Sequence, residues 1–149
     1  MNLYQQFKTS GNLEREGILL EYGNNSQGVP ICIRIARAGG SNERFNKRLE
    51  AIVKPYRRQI QTETIATEQV TKLMRRVYAE TVVLGWENVE LMDKNPDGSP
   101  AGTYSPREFS VDACLELFED LPDLYSDIVE QAQRAALFRD VIREADSGN

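Results

Sequence analysis

Residues 54–87 read KPYRRQIQTETIATEQVTKLMRRVYAETVVLGWE, and the second half of this stretch decides the fold. Val70, Leu73, Met74, Val77, Tyr78, Thr81 and Val82 fall at i, i+3, i+4, i+7, i+8, i+11 and i+12, one apolar stripe along an amphipathic helix. The stripe marks Leu73 and Val77 alike as core. Gly85 predicts a left-handed cap that ends the helix, with Trp86 folded back on its last turn. Upstream, Pro55 disfavours helical angles at Lys54 and predicts a stop or kink there, with a helical turn resuming at Tyr56 and Ile60.

Towards the N-terminus, Ile18, Leu20 and Tyr22 alternate with Leu19 and Glu21, and Ile31, Ile33 and Ile35 alternate with Cys32, Arg34 and Ala36. Two strands with that period, joined by the turn-rich segment 23–28, predict an antiparallel hairpin. Leu3, Tyr4 and Phe7 are expected to place a short N-terminal turn against the body. Gly39-Gly40 breaks the second strand, and Ser41 or Asn42 caps a helix bearing Phe45, Leu49, Ile52 and Val53 on one face. Val89 and Leu91 predict a brief strand before a turn at 95–100. Ser105-Pro106-Arg107-Glu108 reads as a capped helix start, and Pro122 as the start of another helix. The fold class expected is therefore α+β, predominantly helical: an N-terminal antiparallel β-hairpin followed by about four helices, with a short strand and turn between the second and third. No repeat, low-complexity block or linker divides the 149 residues, so one domain is expected. Its parts are the hairpin at 15–37, a helical region at 41–86, a short strand and turn at 87–104, a helical pair at 105–145 and a frayed tail at 146–149.

The formal charge of −5 conceals an asymmetry. Between Arg34 and Arg58 eight basic residues (Arg34, Arg37, Arg44, Lys47, Arg48, Lys54, Arg57 and Arg58) face only Glu43 and Glu50, for a net +6. Between Glu108 and Glu130 eight acids and no base give −8. Such segregation guides association. It is accounted for by mutual neutralisation inside one molecule, by head-to-tail contacts between copies in a homo-oligomer, or by a charged partner.

Chemistry is sparse. The chain has no histidine, which excludes Ser-His and Cys-His pairs and the usual imidazole base. Cys32 and Cys114 read as buried free thiols suited to a reducing compartment. No phosphate-binding glycine loop or zinc cluster is present. Adjacent acids such as Glu119-Asp120 with Asp123 read as caps and solvated faces. No enzyme activity, cofactor or metal is expected. Asp93-Lys94-Asn95-Pro96-Asp97-Gly98 imitates the start of a calcium loop, but its twelfth position is Tyr104 where a bidentate glutamate is needed, so the segment reads as a β-turn. Met1–Lys8 lacks the pattern of a secretory signal, and no apolar run of membrane-spanning length occurs. The protein is expected to stay in the cytoplasm where it is made, off the membrane. The basic stretch around Tyr56 would suit a nucleic-acid backbone, but the sequence pI near 4.9 and the lack of any nucleic-acid module disfavour that partner.

Several fragments carry a family resemblance. These are Ala36-Arg37-Ala38-Gly39-Gly40-Ser41-Asn42 with Phe45, Lys54-Pro55-Tyr56-Arg57-Arg58-Gln59, Val77-Tyr78-Ala79-Glu80-Thr81, Gly85-Trp86-Glu87, and Phe118 to Leu124 with Asp127-Ile128. Together they span roughly residues 15–140 and resemble the tail assembly chaperones of long-tailed, lambda-like bacteriophages. The resemblance implies a non-catalytic protein that binds the tape measure protein and assists assembly of the tail tube protein. It also implies residence in the host cytoplasm and absence from the mature virion. The partner-binding candidates are Lys54, Tyr56, Arg57 and Arg58 in the basic segment, and Leu124 and Tyr125 in the acidic one. The rival readings are a structural head–tail connector or minor tail component, and a nucleic-acid-binding phage regulator.

Overall fold

The alternating isoleucines form β1 (Ile18–Asn24) and β2 (Pro30–Ile35) in a computed structural model that describes residues 2–139. The strands pair antiparallel, Ile18 opposite Ile35 and Leu20 opposite Ile33. In the turn, the Asn25 side chain accepts from the amides of Gln27 and Val29, at 2.9 and 3.1 Å. Two short helices, α1 (Leu3–Phe7) and α2 (Gly11–Glu16), precede the hairpin. A reciprocal capping box between Asn2 and Gln5 fixes the start of α1. Leu3, Tyr4 and Phe7 nevertheless stay 69%, 81% and 62% exposed, so the expected packing of this segment against the body does not occur.

The expected layout of one hairpin followed by helices is wrong. Two antiparallel sheets are interleaved with the helices. The chain continues into α3 (Glu43–Val53), a 3-10 turn at Lys54–Tyr56, α4 (Arg57–Gln61) and the long α5 (Thr67–Thr81). Helical geometry persists through Val82 and then stops, because residues Val83–Glu87 form β3 against the open edge of β2. Ile35 lies opposite Val83 and Ile33 opposite Trp86, making a sheet of order β1-β2-β3. The expected helical span 41–86 thus loses its last residues to a strand. Gly85 is a strand residue opposite Arg34 and takes no left-handed cap. Trp86 does not fold back on α5; its Nε1 donates to the Arg107 carbonyl at 2.8 Å and its ring meets Phe109 edge-on at 5.1 Å. Two β-branched valines beside an unpaired strand edge explain the switch, since ladder bonds there satisfy the backbone.

The second sheet is a hairpin of β4 (Glu90–Lys94) and β5 (Pro100–Pro106), with Leu91 opposite Ser105 and Met92 opposite Tyr104. Its tip is the turn 95–99, where Gly98 has φ 86° and the Asn95 amide donates to the Ser99 carbonyl at 2.8 Å. Ser105 and Pro106 belong to β5, so they start no helix; the cap is Ser110, whose hydroxyl accepts from the Ala113 amide at 3.0 Å and opens α6 (Val111–Asp120). Pro122 occupies the first turn of α7 (Pro122–Gln133), as its fixed φ allows. Arg134 turns extended and a 3-10 turn covers Ala135–Phe138, so within the expected helical pair at 105–145 the first helix starts late and the second ends at Gln133, residues 140–145 lying outside the described ones. Val141 and the tail at 146–149 lie outside the described residues.

Helix α5 packs between α3 and α6, with Val77, Tyr78, Ala79 and Thr81 buried. One connected set of buried side chains runs from Ile18 to Phe138. At its centre Tyr78 meets Phe45 and Tyr125 edge-on, at 5.6 and 5.8 Å. Asn42 precedes α3 but caps it with no side-chain bond; its amide instead donates inward to the carbonyls of Arg37 and Thr81, at 2.8 and 3.0 Å. Cys32 and Cys114 are free and buried; burial pushes the Cys114 thiol up to about 12, far from a reactive thiolate.

Candidate functional site

Lys72, Arg75 and Arg76 stand at i, i+3 and i+4 on α5 and therefore share one side of that helix. The neighbouring α6 presents Leu115 and Glu119. Between the two helices lies a groove of about 390 Å³ whose floor is Leu73 and Leu115 and whose rim is Lys72, Arg75, Arg76 and Glu119. Leu73 is half-buried, so the stripe that marked it as core continues onto an accessible wall.

The charges at this groove are unevenly spent. Arg76 pairs with Glu80 at 3.3 Å, and Glu80 also binds Arg48. Lys72 and Glu119 make no ion pair among the described residues. The Arg75 guanidinium lies over the Tyr125 ring at 5.7 Å, while its Nε is buried without a hydrogen-bond partner. Tyr125 in turn stacks edge-on against Phe118 at 5.0 Å. Burial and the nearby Tyr78 push the Tyr125 phenol up to about 12, so it stays neutral and supports Arg75 as a ring face.

Mutual neutralisation of the +6 and −8 segments is not what the ion pairs show. Among the described residues the basic segment pairs with Glu14, Glu43, Glu50 and Glu80. The acidic segment pairs with Lys94, Arg107 and Arg134. Among the described residues no bridge joins one segment to the other; each is partly neutralised by counter-charges from elsewhere in the chain.

The residues proposed from sequence fall in two places. Lys54, Arg57 and Arg58 are exposed on the 3-10 turn and α4, and Tyr56 is half-buried there, its hydroxyl accepting from Gln69 Nε2 at 3.2 Å. Leu124 and Tyr125 are half-buried on α7 and pack against the core, Tyr125 beneath Arg75. Helix α5 links the two groups, touching Tyr56 through Gln69 and Tyr125 through Arg75. Sequence reasoning missed Lys72, Arg75, Arg76, Leu115 and Glu119. The i, i+3, i+4 spacing of the three basic residues was the signal that could have found the rim.

The calcium-like loop spends its ligands internally. Asp93 accepts from Thr103 and Ser105 hydroxyls at 2.6 and 2.9 Å, and these bonds hold its carboxyl below the usual range. Asp97 accepts from the Ser99 amide at 2.9 Å. Millimolar calcium is therefore expected to leave the melting temperature unchanged, as is a chelator; a rise of several degrees in a thermal scan would restore a metal site here. Among the described residues, no helix is long and apolar enough to cross a membrane.

A family model described as YdaY prophage protein matches residues 40–149, nearly three quarters of the chain. The matched span contains all six groove residues and leaves β1 and β2 outside it. Comparisons with curated proteins and with solved structures gave no match.

Proposed function

The chain belongs to the YdaY prophage protein family and is a phage-derived protein, and from that premise we propose that it is a non-catalytic tail assembly chaperone. In this reading it binds the tape measure protein in the host cytoplasm, keeps it soluble while the tail tube assembles around it, and is left out of the finished virion. The groove between α5 and α6 is the observation that carries the reading: an apolar floor beside a charged rim on which Lys72 and Glu119 make no ion pair among the described residues. A long client with apolar helical stripes aggregates unless a surface of that kind covers it. Several copies along one client would add avidity without strong single contacts. The resemblance of Lys54–Gln59, Tyr78–Thr81, Gly85–Glu87 and Leu121–Leu124 to tail chaperones supports the same choice.

Deletion of the gene from an inducible prophage is expected to leave filled heads without tails, with tails restored when the protein is supplied in trans. Mass spectrometry of washed, infectious particles should not detect it. Recovery at stoichiometric levels in those particles would overturn the chaperone reading in favour of a structural tail component.

A further inference from the structure

We infer that the groove between α5 and α6 selects one class of partner: an amphipathic helix whose apolar ridge is flanked by carboxylates. The inference rests on the reading of this chain as a binder of helical clients and goes beyond it by naming what the client segment must carry. Leu73 and Leu115 offer a floor that only an apolar ridge fills. Three basic side chains line one wall, and the opposite wall supplies Glu119 alone. Among the described residues, Arg76 alone of the three has an acidic partner, at 3.3 Å. Lys72 has none among the described residues, and Arg75 holds a buried Nε with no acceptor. A carboxylate arriving with the ligand would meet Lys72, which makes no ion pair among the described residues, with Arg75 beside it in the same lining. The Tyr125 ring beneath Arg75 keeps the guanidinium in place to receive it, at 5.7 Å. Helix α6 is ten residues long, about 15 Å at 1.5 Å per residue, so it faces two to three turns of a bound helix. The field of the rim selects against a helix with basic flanks.

The probe is a fluorescein-labelled synthetic peptide of about 14 residues, long enough to present those turns. It carries leucines at i, i+3, i+4 and i+7 and glutamates on both flanks; a twin carries lysines at the flanking positions. Anisotropy titration with the full chain should show the glutamate peptide binding about tenfold more tightly than its twin, with the preference shrinking as salt rises. Lys72 is exposed and makes no ion pair among the described residues, so Lys72→Glu is expected to leave the fold alone and to weaken the glutamate peptide about fivefold to tenfold. Glu119→Lys, on the other wall, should tighten the same peptide by a similar factor, and both changes should act in the opposite sense on the lysine twin. Loss of packing would weaken both peptides together, so the reversal of sign is the diagnostic. Equal binding of the two peptides, or a Lys72→Glu variant that binds the glutamate peptide as wild type does, overturns the inference. So does a result in which the two variants alter only the sedimentation of the chain itself, which would make a second copy the occupant. Co-expression with the tape measure protein separates this inference from the function on which it rests. A client kept soluble by Lys72→Glu as well as by wild type overturns the groove and leaves the chaperone reading intact. The sign reversal with peptides, together with a tape measure protein that wild type itself fails to keep soluble, upholds the groove and overturns that reading.

Discussion

Val77→Asp is expected to leave no folded, soluble protein. Val77 is 0% exposed in the C-terminal half of α5, within the buried set that joins the first sheet to α6 and α7. Aspartate nearly matches valine in size, so the damage is electrical. Among the apolar side chains of that set the carboxyl must either be charged without a partner or take up a proton on folding. Either route costs several kcal/mol, against a total stability of about 5–15 kcal/mol for a domain of ordinary size. Soluble yield and a thermal melt by circular dichroism decide the matter. Leu73→Asp is the internal comparison. Leu73 shares the stripe but lines an open groove, where water reaches a charged carboxylate. That variant is expected to fold with a modest loss, and its carboxylate to spoil the groove. A stable Val77→Asp would show that the buried face of α5 is misassigned.

The difference between those two stripe positions, Val77 and Leu73, marks how far periodicity reads a fold. A period of 3.6 tells which residues share a side of a helix, and Tyr78 and Val82 were legible as buried for that reason. It does not tell how wide the covering layer is, so Leu73 and Val70 carried the same mark as Val77 while lying at its margin. The pattern also continued smoothly across the helix end, because an apolar run looks alike to both periods. Only the empty edge of β2, about fifty residues upstream, makes Val83–Glu87 a strand. Ser105-Pro106 failed for a related reason. A capping pattern is a local preference, and pairing of Leu91 with Ser105 across the hairpin outweighs it. The first hairpin was legible because its signal, strict alternation around a glycine-rich turn, needs no distant partner.

For the site, Lys54, Arg57 and Arg58 were visible as a basic cluster and remain exposed, but the groove needed two helices brought side by side. Half of it was present as Lys72, Arg75 and Arg76 at helical spacing. The other half, Leu115 and Glu119, comes from some forty residues away and has no local signature. Tyr125, a partner-binding candidate in the sequence, packs edge-on against Tyr78 and bears Arg75 on its ring.

Arg37→Ala is expected to lower stability by about 2–4 kcal/mol at neutral pH, and by much less in acid. Glu14, on α2, is 2% exposed and takes hydrogen bonds from Arg37 Nη1 and, at 3.2 Å, from Thr9 Oγ1. The backbone repeats the link, the Arg37 amide donating to the Glu14 carbonyl at 3.0 Å. Gly40 completes the enclosure: at φ 53°, any side chain there would run into the Glu14 carboxylate. Burial acts to raise the Glu14 pKa, but the bonds from Arg37, Ser41 and Thr9 outweigh it and hold the carboxyl below its ordinary 4.5. A folded value below the unfolded one means that the pair stabilises the wild type above the unfolded pKa. That contribution is lost as pH falls through the folded value. Without Arg37 the balance inverts. Burial is then opposed only by Ser41 and Thr9, and the expected result is a folded pKa above the unfolded one, which relieves the variant when the carboxyl is protonated. Urea unfolding of both proteins at pH 7 and near pH 4 should therefore show the gap between them closing in acid, with Thr9 and Ser41 left to hold a neutral carboxyl. A gap that stays constant with pH, or widens in acid, would mean that Arg37 acts by packing and that the buried charge of Glu14 is held by other groups.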